Sequence, residues 1–264
     1  MSDRQGVRFP VWTEQLWAVV EMDLRKLRHD PSELFTRMLQ PIIWILIFGQ
    51  AMAKANIIHT GSMPYLDYIV PGILAQSILL IAIFYGIAVI WEKDMGSLHK
   101  LLVSPAPRGI LVFGRAFAAG IRGIFQAVMI YLLSTLLQLD LRLDVEALLG
   151  ILGFTVLTGA LFSTFSLIVA SLVKRRERFM GIGQALTMPL FFASNALYPT
   201  EMMPPWLRTL SQFNPLTYLV DGLRTFMIAG QTSHFGIGFD FTVGILVFIA
   251  LVAICTRLYP RILF

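Results

Sequence analysis

The sequence predicts an all-α membrane protein of six transmembrane helices, and three observations predict it. Hydrophobic residues make up 56% of the 264 positions and charged residues only 14%, a balance that no water-facing surface accommodates. Six apolar segments approach or exceed the roughly 20 residues a helix needs to cross about 30 Å of hydrocarbon. The remaining charges gather in short clusters between those segments. A net charge of +5 is therefore read as topology, not as a nucleic-acid surface.

The first 33 residues are charged throughout, so no cleavable leader is expected and the first span acts as its own insertion signal. Within them Trp12, Leu16, Val19, Val20, Leu24 and Leu27 recur at helical spacing, which predicts an amphipathic helix over residues 12–28. Such a helix suits the inner interface, its tryptophans among headgroups and its cations against anionic lipid. A cap packed on the protein's own cytoplasmic face would use the same stripe. Residues 1–33 are thus a cytoplasmic N-terminus with an interfacial helix, and residues 34–264 a transmembrane domain.

The spans are expected near residues 34–53, 68–91, 110–139, 145–173, 179–198 and 239–258. Between the last two, Pro199, Pro204, Pro205 and Pro215 break the chain into short helices dipping into the outer leaflet. Asn214 and Pro215 fit a helix start, as N-cap and first helical residue, with the helix running to about Met227. This start is either architectural or a contact for cargo. With the N-terminus inside, only Lys54, Arg142, Arg208 and Arg224 of the 21 Lys and Arg fall outside. That bias puts both termini in the cytoplasm of a cell that holds the chain in its inner (plasma) membrane.

Several function classes find little support. No internal repeat argues for an inverted-repeat carrier. The four histidines are scattered over both faces, and the single Cys255 lies in an apolar run, so no metal-ligand spacing emerges. The competing class is an integral membrane enzyme acting on a lipid, because Asp140 and Asp144 match a DxxxD pattern used for diphosphate binding. That pair sits in an external loop without a second acidic motif, and Arg142 between them can neutralise either carboxylate.

The connection between spans 2 and 3 carries charges together with a stripe of Met95, Leu98, Leu101 and Leu102, and it stops at Pro105 and Pro107. Two readings compete: a helix buried against its own bundle, or a helix presented to the groove of a soluble partner. Span 3 carries Arg115 and Arg122, seven apart and so on nearly one face. An arginine at mid-membrane costs about 2.5–3.5 kcal/mol on insertion scales. Both can snorkel to the inner headgroups, or they form a cationic stripe that meets an anionic cargo head or lipid phosphate.

The run Glu92-Lys-Asp-Met-Gly-Ser-Leu-His-Lys-Leu-Leu-Val-Ser-Pro-Ala-Pro-Arg-Gly109, followed by Leu197-Tyr-Pro and by Phe213-Asn-Pro-Leu-Thr-Tyr-Leu-Val-Asp-Gly-Leu-Arg224, resembles the ABC-2 type permeases. That family includes the daunorubicin-resistance and nodulation-factor exporter membrane subunits. The resemblance spans nearly the whole chain in motif order. It implies a six-span half-transporter that forms a homodimer, each copy docking one ABC ATPase subunit. The family's coupling helix maps onto residues 92–104, with Glu92, Asp94, Met95, Leu98, Leu101, Leu102 and Ser104 facing the ATPase. Its interfacial helix maps onto residues 12–28, and its re-entrant helices fall in an external region of about 191–228.

No GxxxxGK[ST] occurs in the chain, so the chain does not cradle ATP in that way. ATP and Mg are expected on the partner, and the chain itself is expected to be non-catalytic, with no cofactor. An exporter of hydrophobic or amphipathic cargo is the implied function: a drug, a lipid or a lipid-linked glycan. Arg115, Arg122, Phe125, Phe191 and Phe192 are the expected cargo or lipid contacts.

Overall fold

The computed structural model describes residues 11–29, 32–61, 63–96, 107–173 and 175–259. The helix α1 spans Val11–His29 and is followed by α2, Ser32–Ile43. Pro41 lies inside α2, and shortly beyond it Trp44–Gly49 run with π-helical geometry before α3, Gln50–Ala55, completes the segment. Proline removes a backbone donor, and a wider turn is one way a helix absorbs the break. Asn56 then stops the helix in the left-handed conformation, φ 49°.

Four longer helices follow the same logic of apolar length. They are α4, Tyr65–Asp94, α5, Arg108–Leu136, α6, Val145–Leu172, and α10, Ile237–Leu258. Together with residues 36–55 they are the five helical segments long and apolar enough to cross a membrane among the described residues. Between α6 and α10 lie α7, Arg176–Phe192, a 3-10 turn at Thr200–Met202, α8, Pro205–Phe213, and α9, Pro215–Met227.

The fifth of the six expected spans is shorter than the sequence suggests. The expected segment 179–198 is helical only to Phe192, and α7 has 17 residues. Its first turn holds Arg176, Glu177 and Arg178, Pro189 interrupts its last, and the chain leaves it through turns at 193–198. Ser194 Oγ donates back to the Phe191 carbonyl (2.7 Å) and Tyr198 Oη to that of Phe192 (2.6 Å). Those bonds satisfy the free carbonyls of the helix end locally, where a longer helix would have used its own amides.

The helix α6 sits at the centre, packed on α4, α5, α9 and α10. Backbones meet closely where side chains are absent: a Cβ on Gly120 would lie 2.6 Å from the Val156 carbonyl oxygen, and one on Gly159 2.7 Å from Gly120 Cα. Small residues allow the close van der Waals contact that holds helices together in lipid. Ser166 of α6 reaches into α4, donating to the Ile83 carbonyl (2.6 Å) and accepting the Gly86 amide (3.1 Å). In consequence α4 is the inner helix, with 78% of its apolar window buried, against 11% for α10 and 17% for residues 36–55.

The helices alternate in direction, so the bundle has two unlike ends. Lys93, Arg108, Arg175, Arg176 and Arg178 gather where α4 ends and α5 and α7 begin; this is the basic end. The opposite end holds residues 56–61 and 63–64 and the loops at 137–144, 193–204 and 228–236. There Leu141 and Ile228 form a single antiparallel bridge, and the Arg142 amide donates to the Met227 carbonyl at 2.9 Å.

Candidate functional site

At the basic end, arginines from three helices converge on the last three turns of α4. Arg37 of α2 stacks over Phe84 (5.1 Å to the ring centroid) and Arg122 of α5 over Tyr85 (5.4 Å). Arg115 of α5 donates from Nη2 to Glu92 Oε2 at 2.5 Å. Arg176 of α7 donates to Asp94 Oδ2 at 2.5 Å and lies over Trp91, 4.4 Å from its centroid.

The two ion pairs differ in weight. The Asp94–Arg176 side chains are 44% and 36% exposed, and pairs at a surface contribute ~0–1 kcal/mol. The Arg115 side chain is 1% exposed and Glu92 12%. Removing one member of so buried a pair takes the counter-charge from the other, at up to about 3–5 kcal/mol. Glu92–Arg115 is therefore the bond that fixes α4 against α5, and the stacked arginines around it add a second layer of contact.

Local sequence explains the placement. Arg115 sits two turns into α5, which starts after Pro107, and the side chain reaches back across the α4–α5 crossing. Its neighbour Gly114 leaves room for α1, since a Cβ there would lie 3.0 Å from Val19 Cγ1. Val19 and Val20 are buried, while Trp17 of the same helix is 61% exposed. Two valines of the stripe read from the sequence thus pack on the bundle, and Trp17, outside that stripe, turns outward. The chain leaves α4 through Met95, which is exposed, and returns at Pro107. The Glu92–Arg115 pair joins the two helices on either side of that connection.

A family model described as "ABC-2 type transporter" matches residues 14–228. The chain belongs to the ABC-2 type transporter family. A "Putative transport permease ycf38" of Cyanophora paradoxa is 30% identical over 213 residues, covering 80% of this chain and 73% of that protein. The "Inner membrane transport permease YadH" of Escherichia coli K12 is 23% identical over 219 residues, with 79% and 82% covered. A "Probable multidrug ABC transporter permease YbhR" of the same strain is 29% identical over 164 residues, 60% of this chain and 44% of its own. The chain is a multi-pass membrane permease of the ABC-2 type.

Within this ABC-2 permease the residues singled out in the sequence fall in different places. Glu92 and Asp94 are already engaged by Arg115 and Arg176, and Met95 is exposed just beyond them. Leu98, Leu101, Leu102 and Ser104 lie outside the described residues. Arg115, read as open to cargo or headgroups, is instead buried against Glu92, because the end of α4 supplies the carboxylate that a membrane arginine needs. Arg122 and Phe125 are half-buried. Phe191 is fully buried, edge-on to Trp44 (5.8 Å) and Phe192 (5.5 Å), and has no face free for cargo here; Phe192 is 42% exposed.

Asn214 caps α9, accepting from the Leu216 amide (3.0 Å), and Pro215 takes the first helical position. The same side chain donates to the Leu190 and Ala193 carbonyls (2.6 and 3.2 Å), so it closes the end of α7 while opening α9. Arg142 chooses one carboxylate of the DxxxD pair, Asp144, at 2.8 Å. Asp144 also accepts from the Ala147 amide as N-cap of α6, which makes it a structural group.

Proposed function

We propose that the basic end is the cytoplasmic, ATPase-facing end of an exporter half. Two copies of this chain and two ABC ATPase subunits make the working unit, and residues 92–104 are the docking lever. The observation that supports this is the Glu92–Arg115 pair and the arginines around it, which tie the root of the lever to α2, α5 and α7. ATP and Mg act on the partner. The cargo is hydrophobic or amphipathic: the exposed faces of the spans are apolar, and the name of one relative includes the word multidrug.

The lever reading is tested by co-purifying the cognate ATPase with the permease carrying Leu98→Ala and Leu102→Ala. Truncating an apolar anchor of a docked helix commonly costs more than about 1 kcal/mol. The ATPase should dissociate at concentrations where the wild-type complex holds, while the variant still inserts in the membrane. Full co-purification and full export by the variant would reduce the segment to a loop packed on its own bundle.

A further inference from the structure

Two carboxylates meet on one hydroxyl in the loop that joins α9 to α10. Oδ2 of Asp221, on α9, and Oδ2 of Asp240, near the start of α10, lie 3.0 and 2.7 Å from Ser233 Oγ. A hydroxyl carries one hydrogen, so it serves one of the two, and the same Oγ accepts the Gly236 amide at 2.6 Å. With both acids ionised, one carboxylate oxygen would face Ser233 Oγ with no hydrogen between them. The place is also closed to water, since Asp221 is 5% exposed and Asp240 0%. Like charges set so close and so deep do not both ionise, and one proton stays with the pair.

The count of donors says where that proton sits. Asp221 Oδ2 also accepts from the His234 amide (2.7 Å) and the Phe235 amide (3.3 Å), and a carboxylate with several donors keeps its charge. Asp240 has Ser233 alone, and its Oδ1 is buried with no hydrogen-bond partner. A proton on Asp240 Oδ2 points at the free lone pair of Ser233 Oγ, which passes its own hydrogen to Asp221. The neighbouring charges leave this arrangement alone. Arg224, one turn on from Asp221, stacks on Tyr68 and donates to the Asn195 carbonyl at 2.8 Å; it forms no ion pair with either acid among the described residues. His59, Glu201 and His234 face Asp221 and Ser233 across a shared cavity of about 480 Å³, and Tyr218 of α9 lies against Phe235 and Phe239. From the other side, α6 turns Phe154 to Phe241, and α5 turns Phe113 to Phe248. We propose that Asp221, Ser233 and Asp240 form a proton-operated latch: with one proton on the pair the loop at 231–236 is tied to α9 and α10, and loss of that proton releases it. Because Ser233 and His234 line the cavity, release also loosens its wall. The latch is independent of which end of the bundle faces the cytoplasm.

A proton held only in the fastened state stabilises it at low pH, and that advantage is lost as pH rises through the titration of the pair. The test is hydrogen exchange of the full-length chain in nanodiscs, read by mass spectrometry on a peptide covering 231–236 from about pH 5 to about pH 9. Asp240→Asn is the reference, because its amide donates to Ser233 Oγ at every pH and comparison at one pH cancels the intrinsic dependence of exchange. The two loops should exchange alike at the acid end, and the wild-type loop about tenfold faster or more at the alkaline end. Equal rates across the range overturn the proposal. Should Asp240→Asn not fold, a peptide of α6 in the wild-type chain serves as the reference for the same rise. His234→Gln and His59→Gln should keep the rise; its loss in either assigns the switch to that histidine and overturns the latch. Slower exchange on adding calcium at the alkaline end would make the pair a cation site and overturns it equally.

Discussion

Arg115 and Glu92 stand on either side of the basic-end connection, 23 positions apart, and their side chains meet at 2.5 Å with Arg115 buried. Glu92→Gln should therefore destabilise the protein by up to about 3–5 kcal/mol, because it takes the carboxylate away from a buried cation. Arg115→Gln should cost a comparable amount, and the double variant markedly less than the two together. Thermal unfolding in one detergent, run as a double-mutant cycle, measures this. Additive losses would mean that the two side chains do not depend on each other.

Asn214 joins α7 to α9 with one side chain. Asn214→Ala should cost about 2–4 kcal/mol, combining a lost N-cap with a buried carbonyl left without its donor. Asn214→Asp keeps the cap oxygen and loses the amide donors, so its unfolding temperature should fall between wild type and alanine. Equal losses for both variants would show that the amide donors alone matter, and an aspartate as stable as wild type that the cap alone does.

The loop between α5 and α6 has an acid-sensitive element. The hydrogen bond from Arg142 holds the Asp144 carboxyl below its ordinary pKa, with the Ala147 amide adding to it. A carboxylate whose pKa is depressed on folding stabilises the protein above its unfolded pKa, and that contribution fades as pH falls through the folded value. Wild type should thus lose an advantage over Asp144→Asn on acidification from neutral pH to below the ordinary aspartate range. Thermal unfolding of both across that range checks it; a constant difference would contradict it. The pair is solvent-exposed, so the effect should be small and weaken further in salt.

Orientation is tested by labelling in intact cells. In a Cys255→Ala background, cysteines at Ile57 and Thr209 should react with an impermeant thiol reagent, and one at Glu177 should react only after permeabilisation. Labelling of position 177 from outside would reverse the assignment of the basic end.

Helix order and length were legible in the sequence because the bilayer imposes a period and a minimum run of apolar residues. The fifth segment was not, since apolar character continues to Tyr198 while the helix ends at Phe192, its end closed by Ser194 and Tyr198 and by Asn214 at the start of α9. The Asn214–Pro215 start was readable locally, but its bonds to Leu190 and Ala193 were not. The sequence read Arg115 as snorkelling or as a contact for an anionic head, and Glu92 was visible as a charged residue at the end of a span. Their pairing depends on how α4 and α5 cross, which no spacing rule contains.

The central claim is that the Glu92–Arg115 bond transmits the lever's movement to the bundle, and the coupling ratio tests it most directly. Permease and ATPase would be reconstituted in liposomes, with export and ATP hydrolysis measured together for wild type and for Arg115→Lys. Lysine keeps the charge but loses the planar guanidinium that also spans toward its neighbours. The account predicts that the variant still binds the ATPase and still supports hydrolysis, while export per ATP falls about tenfold or more, the equivalent of ~1.4 kcal/mol lost from the coupled step. An unchanged export per ATP would contradict it.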